Sequence, residues 1–297
     1  MDSAWIVAEA EQMGFDACGI ASATALEKES AHVEQWLEGG REGEMGYLTR
    51  NKEKRYDPRL LVEGTKSIVT ILYNYFPKQR LSDSDKYKIA KYTYGADYHD
   101  VLKRKMRQLL EHIEAQTGKL ENVRVFVDSA PVLDRAWAVR CGLGFIGKNT
   151  TLIHPKKGSF YFIGHLFLPL ELEETGQMMT NRCGRCTKCL DACPTGALEA
   201  PFHIDARKCI SYLTIESQEP VPTSLDERRG WRFGCEECMR ACPWDKPLDP
   251  LPEFETHRAE IAALSATGWS DLSEEEFEKR FADSGLRRGG LEHLAGE

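Results

Sequence analysis

The 297-residue chain carries 39 Lys and Arg against 47 Asp and Glu, which gives a formal net charge of −8. This length is sufficient for two domains, and the acidic balance argues against binding nucleic acid by bulk charge alone. The first residues lack the basic and apolar regions of a secretory signal, and no apolar run approaches the ~20 residues of a membrane span. We therefore expect a cytoplasmic protein that is not bound to a membrane.

The hydrophobic pattern predicts a mixed domain over residues 1–175. Apolar residues at helical spacing predict helices over 3–15, 31–38, 98–117 and 133–141, with Ser3 as the first N-cap and Gly118 and Gly142 as stops. Apolar and β-branched runs predict strands over 17–21, 67–73, 123–127 and 159–168. This alternation of helices and strands is typical of an α/β or α+β fold.

Eight of the ten cysteines fall between Cys183 and Cys242. The first group, over 183–194, has the spacing C-x2-C-x2-C-x3-C-P, which is the bacterial ferredoxin run for a 4Fe–4S cluster. Cys209 and the group over 235–243 repeat the end of that run with one cysteine moved upstream. We therefore predict a ferredoxin-like domain with two clusters over 176–248, followed by a helical tail over 249–297.

In two-cluster ferredoxins the fourth cysteine of each run binds the other cluster. One predicted ligand set is therefore Cys183, Cys186, Cys189 and Cys242, and the other is Cys193, Cys209, Cys235 and Cys238. Structural zinc also uses C-x2-C pairs, but it does not account for the three-member run or the two Cys-Pro steps. Disulfides need an oxidising compartment. The cysteines thus predict one-electron transfer, and the long upstream region requires a further activity.

Several runs outside the cysteines are distinctive, and together they resemble the epoxyqueuosine reductase family over nearly the whole chain. These runs cover residues 55–58, 94–99, 127–135, 142–150 and 209–216. The resemblance implies a nitroreductase-like domain that binds cobalamin and a ferredoxin domain that supplies electrons to the cobalt. It also implies that the substrate is epoxyqueuosine at the wobble position of tRNA and the product is queuosine, the last step of queuosine biosynthesis. The family in turn resembles reductive dehalogenases.

Removing the epoxide oxygen takes two electrons and two protons, so the site needs an acid. Asp128 follows the predicted strand 123–127 and matches the first aspartate of the family's motif, so we predict it as the general acid. That role requires a pKa raised by burial. The alternative is that Asp128 caps the following turn. Asp134 is the second candidate, but an ion pair with Arg135 would hold it ionised, so we interpret it as structural or orienting.

The resemblance also assigns cobalamin contacts, which are Arg55, Asp128, Ser211 and Tyr212. The alternatives are a surface charge for Arg55 and packing around a cluster for Tyr212. We interpret the glycine-rich run 142–148 as a backbone cradle for corrin side chains, although it does not follow a strand as a dinucleotide loop does. We interpret His99 as structural, with orientation of a neighbour as the alternative, and Cys18 and Cys141 as buried thiols. The basic run Arg228-Arg229-Gly-Trp231-Arg232 is our predicted contact surface.

The expected partners are tRNA carrying epoxyqueuosine and an external flavodoxin or ferredoxin, with the protein itself a monomer. Family members usually continue into a HEAT-like helical segment, and the run 285–293 looks like the approach to it. We therefore expect a short or trimmed member of the family, in which the shorter C-terminal segment affects the affinity for tRNA. Three other functions stay open: an electron-transfer protein without a substrate, a corrinoid reductase that serves another enzyme, and a dehalogenase-like enzyme acting on a small molecule.

Overall fold

The computed structural model describes residues 2–77, 87–219, 221–222, 224–246, 248–269 and 271–295. Its centre is a four-stranded sheet in the order β1-β2-β7-β4, with β1 Ala17–Ser22, β2 Ser67–Asn74, β4 Arg124–Phe126 and β7 Tyr161–Leu168. All neighbouring strands of this sheet are antiparallel. Every residue of β2 is buried, because the strand is central and both faces of the sheet are covered. Of the two predicted classes, the antiparallel sheet favours α+β.

Helices cover the two faces of this sheet, and alternate residues of β2 contact them. Val69 and Ile71 belong to a core that includes residues of α1 Ser3–Gln12 and α5 Tyr98–Thr117. Ile68 and Leu72 belong to a core that includes α6 Asp134–Arg140. The end of β4 and the start of α5 therefore lie at one edge of a sheet that is packed on both sides.

The other elements are short, and many of them lie in the cysteine-rich part of the chain. The remaining strands are β3 Lys88–Ile89, β5 Phe145–Ile146, β6 Leu152–Ile153, β8 Leu198–Ala200, β9 His203–Ile204 and β10 Trp231–Phe233. The remaining helices are α2 Glu27–Glu38, α3 Lys52–Tyr56, α4 Pro58–Leu61, α7 Lys188–Asp191, α8 Ile210–Ile215, α9 Glu237–Arg240, α10 Arg258–Thr267, α11 Glu274–Arg280 and α12 Gly290–Ala295. In the described ranges, no helix combines the length and the apolar character needed to cross a bilayer.

The C-terminal segment forms a third core with residues from earlier in the chain. β10 pairs in parallel with β3. Ile89, Tyr94 and Phe233 are buried together with side chains of the C-terminal helices, which include Trp269, Phe277, Phe281 and Leu286. These contacts join residues that lie on opposite sides of the predicted domain boundaries at 175 and 248. The boundaries themselves remain predictions.

The predicted elements agree with the structure best where apolar periodicity is strong. The helix over 98–117 is confirmed, and it ends at Gly118 with a φ of +83°. The helix predicted over 3–15 begins at Ser3 as predicted but stops at Gln12, and its N-cap is Asp2, which accepts the Ala4 N–H, rather than Ser3. The helix predicted over 31–38 begins at Glu27. Its first turn is charged, so apolar periodicity does not reveal it.

Candidate functional site

Four cysteines from two separate runs line one cavity of about 380 Å³. Cys183, Cys186 and Cys189 come from the first run, whereas Cys242 ends the second. This is the ligand set that crossing of the runs predicts, and the thiols are free. Among the described residues, no three His, Cys, Asp or Glu side chains converge on a point that suits a single ion. The four cysteines instead surround a space, as cluster ligands do.

The other four cysteines, Cys193, Cys209, Cys235 and Cys238, lie within electrostatic reach of one another. Burial raises the pKa of Cys235 and Cys238, and the neighbouring thiol of Cys209 raises both further. The thiol of Cys193 likewise raises the pKa of Cys209 and of Cys238. Binding of iron would reverse this effect, because a coordinating thiol is deprotonated. The structure thus brings together the second predicted ligand set as well.

Cys209 is the N-cap of α8, so backbone groups of the first turn of that helix lie near its sulfur. Burial raises the pKa of the Cys209 thiol, while hydrogen bonds from the backbone of Tyr212 and Ser211 act against the increase. Hydrogen bonds to cluster sulfurs are one way in which a protein sets a cluster potential. The Tyr212 hydroxyl accepts the Glu44 N–H at 2.7 Å, so the packing alternative suits Tyr212 better. The predicted role of Ser211 stays a prediction.

Asp128 follows β4 in a strained backbone conformation. Its φ of +57° lies in the left-handed region, which aspartate tolerates better than most residues but which is still uncommon. The side chain is 64% exposed, although burial is among the effects on its pKa. The carboxylate therefore has protein groups around it but stays accessible to solvent. Strain of this kind is often found at functional sites.

Two residues at the start of α5 hold the Asp128 carboxylate. The Tyr98 hydroxyl donates to Oδ2 at 2.5 Å, and His99 Nε2 lies 3.5 Å from the same oxygen. The hydrogen bond from His99 lowers the pKa of Asp128, and it outweighs the opposing effect of burial with help from Tyr98. The raised pKa that we predicted for the acid is therefore wrong for this state. The carboxylate is ionised because two donors face it.

His99 is a connected residue of the site, which corrects its interpretation as merely structural. Its ring is buried, and Nδ1 lies 2.7 Å from Asp97 Oδ1. Burial opposes the charged imidazole, but the hydrogen bonds to Asp128 and Asp97 prevail and raise the pKa of His99. The raised pKa of His99 and the lowered pKa of Asp128 both favour a charged imidazole facing an ionised carboxylate.

Sequence reasoning missed a second carboxyl group beside Asp128. Glu216 directly follows α8, and its pKa is raised by burial and by the charge of Asp128, whereas Tyr47 lowers it. Burial and the nearby Glu216 and Asp128 carboxylates raise the pKa of Tyr47 to about 12. Two carboxyl groups whose pKa values are shifted in opposite directions are a pattern of acid and base pairs. In the sequence, Glu216 could have been recognised as the single acidic residue at the end of an apolar helix that starts at the predicted cluster ligand Cys209.

Arg55 is buried, so the alternative of a surface charge is wrong. The residue is 7% exposed on α3, and Nη2 donates to the Tyr47 carbonyl at 3.2 Å. Its Nε has no hydrogen-bond partner in the described part of the chain. A buried guanidinium with an unused donor is costly, and a ligand with amide or phosphate oxygens would satisfy it.

Asp134 does not form the predicted ion pair with Arg135. Its Oδ1 lies 3.1 Å from His165 Nε2, and His165 Nδ1 lies 3.0 Å from Thr70 Oγ1. Arg135 instead donates to the Thr150 carbonyl at 2.6 Å. His165 and Thr70 are fully buried in the sheet, so they fix the Asp134 carboxyl and support its interpretation as an orienting residue.

The glycine-rich run contacts the first cysteine run. Lys148 Nζ donates to the Gly184 carbonyl at 2.7 Å and the Cys186 carbonyl at 3.0 Å. Lys148 and Asn149 also line the cavity of the first four cysteines. The end of the run thus supports the ferredoxin-like loop, and the corrin cradle predicted for it is not supported.

Most of the basic run that we predicted as a contact surface is buried. Arg228, Trp231 and Arg232 are 3%, 3% and 6% exposed, whereas Arg229 is 49% exposed and pairs with Glu237. The predicted surface is therefore wrong for all of these side chains except Arg229.

The interpretation of Cys141 as a buried thiol agrees with the structure. Cys141 is buried, and its thiol donates to Thr70 Oγ1 at 3.2 Å. Burial raises the pKa of Cys141 to about 12, which agrees with an inert thiol.

Comparisons with known proteins assign both parts of the chain. The family described as "Epoxyqueuosine reductase QueG, DUF1730" matches residues 55–129, and the family described as "4Fe-4S double cluster binding domain" matches residues 182–245. The second match supports iron–sulfur clusters rather than zinc or disulfides.

Relatives resemble the chain over almost its whole length. An epoxyqueuosine reductase of Cellulophaga algicola is 43% identical over 286 residues, which cover 95% of this chain and 92% of that protein. An epoxyqueuosine reductase solved with an epoxyqueuosine-modified tRNA-Tyr stem loop has a TM-score of 0.86 and 28% identity, covering 98% of this chain and 78% of that one. A Bacillus subtilis epoxyqueuosine reductase, described with its aspartate-bearing catalytic loop swung out of the active site, has a TM-score of 0.84 and 28% identity over the same shares.

Proposed function

The chain belongs to the epoxyqueuosine reductase family, and from that premise we propose that it reduces epoxyqueuosine in tRNA to queuosine. One observation carries the proposal most directly. Helix α8 begins at the predicted cluster ligand Cys209 and ends at Glu216, beside Asp128. Its six residues span about 9 Å at 1.5 Å per residue. Electron-carrying and proton-carrying groups therefore lie one short helix apart.

The reaction consumes two electrons and two protons. Both C–O bonds of the epoxide break, the two carbons become an alkene, and the oxygen leaves as water. The two groups of four cysteines would hold the predicted clusters, which would supply electrons one at a time from an external one-electron carrier. The free thiols in two groups of four fit this assignment of ligands.

Cobalamin bound in the open space at Asp128 would supply a centre that gathers two electrons for the epoxide. The unused Nε of buried Arg55 supports a bound group with oxygen acceptors at this place. Ser211 is a further proposed contact, since it follows the ligand Cys209. The engaged hydroxyl of Tyr212 limits its role to packing under that group.

Asp128 is the proposed catalytic acid, although it is ionised in the resting protein. It would take up a proton from its neighbours before it donates to the opening epoxide. Substrate and cofactor would exclude water from the space around it, and this raises the pKa of a carboxyl. The aspartate-bearing catalytic loop of the B. subtilis relative supports a loop residue such as Asp128 over Asp134, which begins a helix.

The proposed partners follow from the two ends of the electron path. A relative solved with an epoxyqueuosine-modified tRNA stem loop supports tRNA as the substrate partner, and its modified nucleoside would lie at Asp128. The electron donor approaches the first group of cysteines, where Arg182, Arg185 and Lys188 are exposed. Three cations in seven residues suit an acidic carrier such as a flavodoxin or ferredoxin. A monomer in the cytoplasm remains our prediction.

The test is anaerobic turnover of tRNA that contains epoxyqueuosine, with clusters reconstituted, cobalamin added and nucleosides measured by mass spectrometry. We expect the wild type to form queuosine only with cobalamin. Asp128→Asn should lower kcat by roughly 10²–10⁴, the usual contribution of a positioned acid. Asp226→Asn, at an exposed position, is the matched control and should retain wild-type activity.

Two outcomes would contradict the proposal. Cobalamin that binds and is reduced without any queuosine would favour a corrinoid reductase that serves another enzyme. Bound iron with no cobalamin binding would favour a simple electron carrier. Free epoxyqueuosine nucleoside, tested in parallel, separates loss of tRNA binding from loss of the reaction.

A further inference from the structure

The C-terminal segment is attached to the loop that leads into α5. The Asp97 N–H donates to the Asp283 carbonyl at 2.6 Å, and the Ser284 hydroxyl donates to the Thr93 carbonyl at 3.0 Å. Ser284 is 2% exposed. A segment that is nearly two hundred residues away in sequence therefore fixes the backbone just before Tyr98 and His99.

A chain of charged groups continues from this attachment to Asp128. Arg288, on the short 3₁₀ helix Gly285–Gly289, donates through Nε and Nη2 to Asp97 Oδ2 at 2.9 and 2.8 Å. The other oxygen, Asp97 Oδ1, accepts the His99 N–H at 3.0 Å and lies 2.7 Å from His99 Nδ1. His99 Nε2 then faces Asp128 Oδ2 at 3.5 Å.

Each member of the chain restricts the next one. Arg288 occupies one oxygen of Asp97, so the other oxygen is directed at the ring of His99. An acceptor at Nδ1 fixes the ring orientation, and in the charged ring the Nε2 proton is then directed at Asp128. The charged groups that face His99 are Asp97, Asp128 and Arg288, and Arg288 by itself lowers the pKa of His99. The titratable and charged groups near Asp128 are Tyr98, Tyr92, Tyr47, Glu216 and Arg135.

We propose that Arg288 and Asp97 are positioning residues, through which the C-terminal segment holds His99 as the proton source for Asp128. This inference rests on the proposed function. In each transfer the Nε2–H bond of His99 breaks and an O–H bond forms on Asp128, and solvent then returns a proton to His99. No electrons move in this step.

A simple alternative is that Arg288 only fastens the C-terminal segment. Arg287 provides a matched control, because it lies on the same 3₁₀ helix, is equally exposed at 54%, and forms its own ion pair, with Glu278. A fastening role predicts similar effects of Arg287→Gln and Arg288→Gln on stability and activity. A positioning role predicts an effect on kcat from Arg288 alone.

The experiment measures kcat and KM for modified tRNA across pH, together with thermal unfolding, for the loaded enzyme and its variants. We expect Arg288→Gln to lower kcat about tenfold or more, as misplacement of a catalytic group does, with KM little changed. Arg288→Lys should recover part of the loss, and Arg287→Gln should match the wild type. An Arg288→Gln variant that behaves like Arg287→Gln in kcat would overturn the proposal.

Asp97→Asn provides the pH readout of His99 as the proton source, because the pH profile of kcat follows the titration of His99 only if His99 takes part in proton transfer. Burial of His99 persists in this variant while the charge that favours its protonated form is lost, so the pKa of His99 should fall. The alkaline limb of kcat should therefore shift to lower pH, and NMR titration of labelled histidine should show the same direction. An unmoved His99 titration would overturn the proposal. Because the titration needs no turnover, it stays informative even if the wild type forms no queuosine, which would count against the proposed function instead.

Discussion

At the scale of single residues, the pair Lys91 and Glu236 is the most deeply buried ion pair among the described residues. Lys91 is 5% and Glu236 is 4% exposed at the side chain, and the ammonium group contacts the carboxylate directly. The Lys91 N–H also donates to Glu236 Oε1 at 2.8 Å. Glu236 lies between two predicted cluster ligands, so this pair attaches the second cysteine group to the sheet domain.

Loss of one partner should be costly, because it leaves a buried charge unpaired. We expect Lys91→Met to lower the free energy of unfolding by about 3–5 kcal/mol, measured by urea denaturation of the cluster-loaded protein. The double variant Lys91→Met with Glu236→Gln should recover much of that loss. Lys119→Met is the matched control, since Lys119 is 83% exposed and pairs with Glu114; such pairs contribute about 0–1 kcal/mol. Equal effects at both lysines would show that burial of the pair is unimportant.

The sequence indicates which residue types meet at the site better than it indicates their charge states. Asp128 is recognisable because a carboxyl group follows an apolar strand. Its protonation depends on Tyr98 and His99, which are some thirty residues earlier and arrive only when α5 packs on the sheet. In the sequence, Arg55 is one of several cations in a charged run. Its burial cannot be recognised there, because it is set by tertiary packing.

At the scale of elements, the two cysteine runs form loops that exchange one predicted ligand. Each run contains a short helix just before its last cysteine, α7 or α9, and the two helices contact each other. This contact places Cys242 with the first three cysteines. The spacing alone predicts the exchange, because the ferredoxin pattern fixes it, whereas the short strands β3, β5 and β6 are too brief for periodicity to reveal.

The exchanged ligand can be tested by spectroscopy. We expect Cys242→Ser to lose about half of the bound iron, and its reduced EPR spectrum should match that of Cys183→Ser rather than Cys238→Ser. The reason is that a cluster missing one of four thiolates is bound less firmly. Cys141→Ala removes a buried thiol outside both groups, so it should keep all of the iron. A Cys242→Ser spectrum that matches Cys238→Ser would show that the runs do not cross.

At the scale of the whole molecule, the C-terminal segment is part of the fold rather than an appended tail. Its helices bury Ile89, Tyr94 and Phe233, which come from earlier in the chain, and it supplies Arg288 to the site. The sequence shows that helices follow the cysteines. It does not show where they pack, because an amphipathic pattern shows which face of a helix is buried but not which surface covers it.

Gly95 packs closely against the backbone of the C-terminal segment, and it provides a test of how much stability this contact contributes. A Cβ at Gly95 would lie 2.2 Å from Phe254 Cα and 2.4 Å from the Glu253 carbonyl oxygen. These are backbone atoms, so no side-chain rotation relieves the clash, and the two segments must separate. We expect Gly95→Ala to lower the free energy of unfolding by about 1–3 kcal/mol or more, as overpacking does, in urea titrations. Gly46→Ala is the matched control, because a Cβ there meets nothing within 4 Å.

Separation at Gly95 would also displace Asp97, so kcat should fall in Gly95→Ala by more than the unfolded fraction explains. Equal stability and activity in the two alanine variants would mean that the C-terminal segment adds little to either.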